Sequence, residues 1–295
     1  MDAPLLSSIA APSMSRLQEF DAPGLSNMAW ALAKCRVSDS PLLKAIAARA
    51  LSSLEDWAAQ HLSKIAWSFA TVRLSHTPLL DAICWRARAQ IHEFSSQNIS
   101  NTAWSYASLG VLDVPLLSAL ACEALRSIRQ FCAQHLSNPA WSCATLVWRH
   151  PPLLTSIASA SIARIVDFDS QGLSNTVWSF ATCTWHDDPL MHAISSAAIR
   201  LMREFSSKHL VTTAWAFAFL VFDDAPLMDS ISAESVPRMG SFESRQLANL
   251  AWSCANLCYS DSPLLDALAS ASMRLLPQCH TQDLQNTAWA YYMLS

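Results

Sequence analysis

Apolar positions along this chain recur at helical spacing, and the pattern itself returns with a longer period. In residues 96–107, Ile99, Ala103, Tyr106 and Ala107 fall on one side of a helix. A break follows at 110–114, and a second apolar series then opens with Pro115-Leu116-Leu117 and runs to Phe131. The spacing predicts two helices per repeat, A and then B. Trp30, Trp67, Trp104, Trp141, Trp178, Trp215, Trp252 and Trp289 mark helix A at a constant step of 37 residues. Pro4, Pro41, Pro78, Pro115, Pro152, Pro189, Pro226 and Pro263 mark the start of helix B at the same step, without insertion or deletion. Self-similarity at a fixed period of this size is the signature of a solenoid, in which each repeat buries its apolar face on its neighbours. The expectation is an all-α right-handed superhelix of about eight two-helix repeats, about sixteen helices, forming a single array over residues 1–295.

The polar punctuation supports those helix ends. Proline is tolerated in a first turn, where its missing N–H is not needed. Two residues before it stands Asp2, Asp39, Asp113, Asp187, Asp224 or Asp261, with His76 and His150 in the other two repeats. Aspartate there can cap free helix N–H groups and faces the positive end of the dipole. Helix B closes on an aromatic at Phe20, Trp57, Phe94, Phe131, Phe168, Phe205 and Phe242, with Cys279 in the last repeat. Pro237 and Gly240 should break helix B of their repeat, and Pro12 and Pro277 should disturb helix B near the two ends. The chain opens on helix B and closes on helix A, a half-repeat at each end, and reads as a piece of a longer array.

Composition narrows the function. Apolar residues make up 52% and charged residues 14%, too apolar for disorder and suited to helices packed on two sides. Four glycines leave little room for glycine-dependent phosphate loops. The longest apolar run, Ala214 to Phe222, is too short to span a bilayer, and no membrane role is expected. Asp2, Arg16 and Glu19 give the first residues neither a secretory nor a transit-peptide character. The nine cysteines lack paired spacing and read as buried thiols of a reducing compartment, including Cys254 and Cys258 one turn apart. No paired-histidine zinc motif, nucleophile elbow or phosphate loop is present. No catalysis, cofactor, metal or small-molecule substrate is therefore expected. His61, His135 and His209 share one repeat phase and read as surface or capping residues.

The tryptophan ladder has two readings. It either fills the seam between helix pairs, where removing one indole would cost about 3–5 kcal/mol, or it offers rings for nucleobases to stack on. Its invariance from repeat to repeat favours the seam. Recognition is then expected from small polar residues around it, three positions earlier and one later. These are Asn27, Lys64 and Ser68, Asn101 and Ser105, Asn138 and Ser142, Asn175 and Ser179, Asn249 and Ser253, and Asn286. Stacked repeats would align them into a concave groove able to bond the edges of unstacked bases, one per repeat. The competing reading makes this face merely solvated, or gives the asparagines a task between repeats. Arginines gather in the second half of helix B, and Arg49, Arg86, Arg126, Arg129, Arg164, Arg200, Arg203 and Arg274 are candidate phosphate contacts. Complementarity to the helix dipole, together with surface solubility, is the competing and favoured account of them. A net charge of −4 argues against strong nonspecific binding of nucleic acid.

The strings from Gln97 to Ser108 and from Gln171 to Thr182, with Pro78 to Ile83, closely resemble the heptatricopeptide and octotricopeptide helical repeats, and the likeness covers essentially the whole chain. Such repeats are related to those of FAST-kinase-like proteins that carry a RAP domain. The resemblance implies binding of single-stranded RNA in a mitochondrion or chloroplast, with roles in transcript processing, stability, translation or ribosomal RNA assembly. The alternative is a protein-interaction scaffold of HEAT or armadillo type, gripping an extended peptide through its asparagine ladder.

Overall fold

The computed structural model describes residues 12–37 and 40–294. In chain order the helices with defined bounds are α1 (Ala22–Lys34), α2 (Ser40–Leu51), α3 (Ala59–Thr71), α4 (Thr77–Ala89), α5 (Ser96–Ser108), α6 (Val114–Ser127), α7 (Ala133–Thr145) and α8 (Pro151–Ala163). They continue as α9 (Ser170–Thr182), α10 (Asp188–Leu201), α11 (Ser207–Phe219), α12 (Ala225–Ser235), α13 (Ser244–Asn256), α14 (Ser262–Leu275) and α15 (Thr281–Leu294), with no strand among the described residues. Odd-numbered helices are the A helices and even-numbered ones the B helices, so the predicted solenoid of two-helix repeats is what the chain forms. Pro12–Ser15 is also helical, while Asp2, Pro4 and Asp39 lie outside the described residues.

The helices gather into two compact units. One holds the chain through Phe131 together with Thr145–Ser156, and the other holds Cys132–Ala144 and the chain from Ile157 onward. In the first, α1 packs on α3 and α3 on α5; in the second, α9, α11, α13 and α15 pack in succession. The B helices touch one another more lightly, α2 with α4 and α4 with α6, α10 with α12 and α12 with α14. Within each unit the A helices are therefore the closely packed row.

Both ends of the helices are built as physical chemistry requires. The Leu116, Leu190, Leu227 and Leu264 amides donate to Asp113, Asp187, Asp224 and Asp261 at 2.7–3.0 Å. In the other two repeats the cap is imidazole, with the Leu79 and Leu153 amides donating to Nδ1 of His76 and His150 at 3.2 Å. The A helices end in Schellman turns: the Leu74 amide donates to the Phe69 carbonyl, Val111 to Tyr106, Trp185 to Phe180 and Phe222 to Phe217. Each such turn needs one left-handed residue. Arg36, Gly110, Val147, Thr184, Val221 and Cys258 take it with φ between 49° and 69°, as does Arg73 with φ 56°. Only Gly110 is free of the Cβ penalty there.

The core is filled from helix B and from two aromatic positions. Leu79, Leu80 and Ile83 are buried, as are their counterparts in later repeats except Leu265. The last turn of helix B tightens to 3₁₀ before the closing aromatic, as in Ile128–Gln130 before Phe131. Trp57, Phe94, Phe131, Phe168, Phe205 and Phe242 are all buried. Their linker carbonyls need donors, and the Gln90 amide supplies one to Trp57 and the Arg238 guanidinium one to Phe205, each at 2.8 Å. The second position lies two residues after the ladder tryptophan: Phe69, Tyr106, Phe180 and Phe217 are buried there. The Tyr106 hydroxyl donates to the Leu80 carbonyl at 2.6 Å and that of Tyr291 to Leu265 at 2.8 Å. Burial raises the pKa of both phenols.

One expectation holds and two require adjustment. Pro237 and Gly240 do cut helix B short at Ser235, replacing its end by a 3₁₀ segment at Val236–Ser241. Pro277, however, falls in the 3₁₀ turn Leu276–Gln278, where no helical N–H is lost, and leaves α14 intact. The cysteines are not uniformly buried. Cys84, Cys143, Cys183 and Cys254 are, but Cys122, Cys132 and Cys258 are exposed, because the last three fall on outward positions of the repeat.

Candidate functional site

The ladder tryptophans lie at the outer edge of the seam between repeats and do not fill it. Trp30 is 43% and Trp289 39% exposed, and the six between them are partly exposed as well. The reason lies in the helical wheel. The positions just before and two after each tryptophan (Ala66 and Phe69, Ala103 and Tyr106) face the core, which turns the indole outward.

The same rotation removes half of the expected groove. Ser68, Ser105, Ser142, Ser179 and Ser253 are buried. Each hydroxyl donates to a carbonyl one turn back, at 2.5–2.7 Å, in its own helix (Lys64, Asn101, Asn138, Asn175 and Asn249, in that order). They are helix-internal residues and are closed to a ligand. Asn101, Asn138, Asn175, Asn249 and Asn286 stay half-exposed and Asn27 exposed, in line with the indoles one turn away.

The outward stripe of each A helix thus runs seven and three residues before the tryptophan, through it, and four residues after. In α5 it reads Gln97, Asn101, Trp104, Ser108; in α9 it reads Gln171, Asn175, Trp178, Thr182. The exposed Gln60, Gln97, Gln134, Gln171 and Gln282, with Lys208 and Arg245, were absent from the expected site. The signal was the 37-residue step applied to the position seven before each tryptophan.

Neighbouring stripes meet. The Trp67 and Trp104 ring centroids are 6.4 Å apart with planes inclined by 30°, and Trp252 and Trp289 repeat that geometry. Lys34 Nζ lies 5.7 Å from the Trp30 ring and 5.3 Å from that of Trp67, a cation–π bridge between two repeats. Lys64 Nζ donates to Asn27 Oδ1 at 2.8 Å across the same pair of helices. Between α7 and α9 an open cleft is lined by Gln134, Asn138, Gln171 and Asn175, with Asp167 and Asp169 at its rim. Asp169 also accepts from the Gly172 amide at 2.7 Å.

The arginines do not join this stripe. They sit at the C-terminal ends of the B helices, and several have structural partners. Arg49 is half-buried, donating to Ser52 Oγ at 2.9 Å and to the Phe20 carbonyl at 3.4 Å. Arg86 is half-buried too. Arg126 faces Glu123 at 3.6 Å and Arg164 faces Asp167 at 3.7 Å. Arg129 and Arg274 are exposed, and Arg200 and Arg203 border a shallow cleft that also holds Glu204 and Glu234. The phosphate role expected of Arg49 is thus displaced by its bonds within the fold.

His61 and His209 are neither free surface groups nor side-chain caps. They stand near the start of α3 and α11, edge-on to Trp57 and Phe205 with ring centroids 6.4 and 6.1 Å apart. Burial lowers their pKa and that of His135. At the equivalent position of α9, Gly172 leaves room for Phe168, whose ring would lie 3.1 Å from an added Cβ.

Fold and surface together define the class: an all-α repeat protein presenting one indole per repeat on its A helices, flanked by side-chain amides in all of them but α11. Residues 5–262 match the family of RNA-editing substrate-binding complex 6 proteins (RESC6), and the chain belongs to that family. No curated protein matches it. No helix among the described residues is long and apolar enough to cross a membrane.

Proposed function

We propose that this chain binds single-stranded RNA along the A-helix faces of its units and serves RNA processing in an organelle, mitochondrion or chloroplast, together with protein partners. The proposed role is binding and not catalysis. Membership of a family named for an RNA-editing substrate-binding complex supports this reading, as does the resemblance of the repeat to the heptatricopeptide and octotricopeptide type. The observation that carries it is the stripe itself. Amides and indoles that hydrogen-bond and stack are the groups that recognise unpaired bases; the indole returns in every repeat on the outward face, and the amides in every repeat but that of α11.

Asn101, Asn138 and Asn175 are the base-edge contacts in this reading, and the exposed Arg200, Arg203 and Arg274 are the phosphate contacts at the borders. Filter binding of the full chain to a pool of single-stranded RNA tests it. Substituting Asn101, Asn138 and Asn175 together by alanine should weaken binding about tenfold or more while leaving the melting temperature nearly unchanged. Unchanged affinity in that variant would remove the asparagines from the site.

A further inference from the structure

The indoles carry an inference that rests on the RNA-binding reading and deepens it. We propose that the half-exposed tryptophans form a base-stacking platform, and that stacking, more than hydrogen bonding to base edges, supplies the affinity. Three independent observations converge on it.

The first is placement. Every A helix turns its tryptophan outward although the fold has other aromatic positions, the buried Phe69 and Trp57 among them, that fill the core. A large apolar ring left partly in water at every repeat is not required by packing.

The second is ring geometry. A separation of 6.4 Å between the centroids of Trp67 and Trp104, and of Trp252 and Trp289, approaches two stacking steps of about 3.4 Å each. The two indoles, inclined by 30° and each partly exposed, form a tilted aromatic pair on which a base can stack. Stacking on such faces tolerates any base, because every base has a π-face.

The third is charge sorting. No position of the stripe in any A helix is acidic, in a chain whose net charge is −4. Lys34, Lys64 and Lys208, three of the chain's four lysines, lie on it together with Arg245. Lys34 already rests on two indoles, where it can reach a phosphate of a strand stacked on them. The stripe positions themselves carry only neutral and basic side chains, with the carboxylates Asp167 and Asp169 beside the cleft between α7 and α9, a distribution that fits a polyanion and gives no special advantage to a neutral peptide.

Stacking as the main source of affinity has distinct consequences. Oligo(A) should bind more tightly than oligo(U), because a purine offers the larger ring. Single-stranded DNA of the same sequence should bind comparably, since the 2′-hydroxyl plays no part. The salt dependence should be shallow, with few phosphates neutralised.

The experiment is a tryptophan-fluorescence titration of the full chain with oligo(A) and oligo(U), with acrylamide quenching measured before and after saturation. Bound oligo(A) should quench emission and shield the indoles from acrylamide. The pairs Trp67→Leu with Trp104→Leu, and Trp252→Leu with Trp289→Leu, should each bind oligo(A) at least about tenfold more weakly. The corresponding phenylalanine pairs, which keep an aromatic face, should fall between these and the parent. Circular-dichroism melts establish that the variants are folded, and the acrylamide measurement on the parent chain decides the matter where a leucine pair is not. RNA that binds without shielding the indoles, or that binds both leucine pairs as tightly as the parent, overturns the stacking platform and leaves the RNA-binding reading standing. A parent chain that binds no RNA overturns both, and shielding of the same indoles by an extended peptide would then assign the row to protein recognition.

Discussion

Trp67 and Trp57 stand ten residues apart and have opposite surroundings. Trp57 is buried behind a 3₁₀ turn, with its carbonyl held by Gln90, while Trp67 lies on the outward face against Trp104. The indole that sequence periodicity advertises is the one the fold does not bury. Trp57→Ala should cost about 3–5 kcal/mol through the cavity it leaves. Trp104→Ala should cost about 1–2 kcal/mol, since only part of its ring is removed from water. Urea unfolding of the two variants compares them directly, and equal losses would contradict the outward placement.

The left-handed residues after the A helices predict a gain in stability. Val147 and Val221 hold φ at 53° with side chains 87% and 73% exposed, so they suffer the Cβ clash without packing in return. Val147→Gly and Val221→Gly should each stabilise by about 0.5–1 kcal/mol, the relief of a cost of about 1–2 kcal/mol less the extra freedom glycine gains when unfolded. Gly110→Val should lose a similar amount. Thermal melts of the three variants are sufficient.

Acid should weaken the fold through His61, His135 and His209. Burial lowers their folded-state pKa below the unfolded value, so the unfolded chain binds more protons once the pH drops below about 6.5. Their contribution is present at neutral pH and is lost as the pH falls through the unfolded value toward the folded one. A triple variant with asparagine at these positions should show a flatter dependence of melting temperature between about pH 7 and pH 5. An unaltered profile would exclude them as the source.

Thiol reactivity should divide the cysteines by environment. Burial pushes Cys84, Cys143 and Cys254 up to about 12, so almost none of each is thiolate at mildly alkaline pH. Cys122, Cys132 and Cys258 are exposed. Iodoacetamide labelling followed by peptide mass spectrometry should modify the exposed three first, and the buried ones only as the chain unfolds. Early labelling of Cys254 would show that α13 opens locally.

By itself the sequence determined the fold class, the two helices of each repeat and their ends. Those properties depend on local chemistry: a proline that starts helix B, an aspartate two residues earlier, and apolar positions at helical spacing. It also located the irregular repeat at Pro237 and Gly240. The sequence left undecided which side of helix A faces the core, because alanine, serine and tryptophan all fit a helix and none alone declares its direction. Tertiary packing decided it. Ala66 and Phe69, with Ala103 and Tyr106, bury the side on which Ser68 and Ser105 also lie, and these hydroxyls are satisfied one turn back in their own helices. The small serines could be enclosed because a hydroxyl can bond its own backbone. The larger indoles were left at the surface, in contact with one another and with Lys34. The recognition surface therefore combines asparagines the sequence picked out with tryptophans and glutamines that only the packing of the A helices brought beside them.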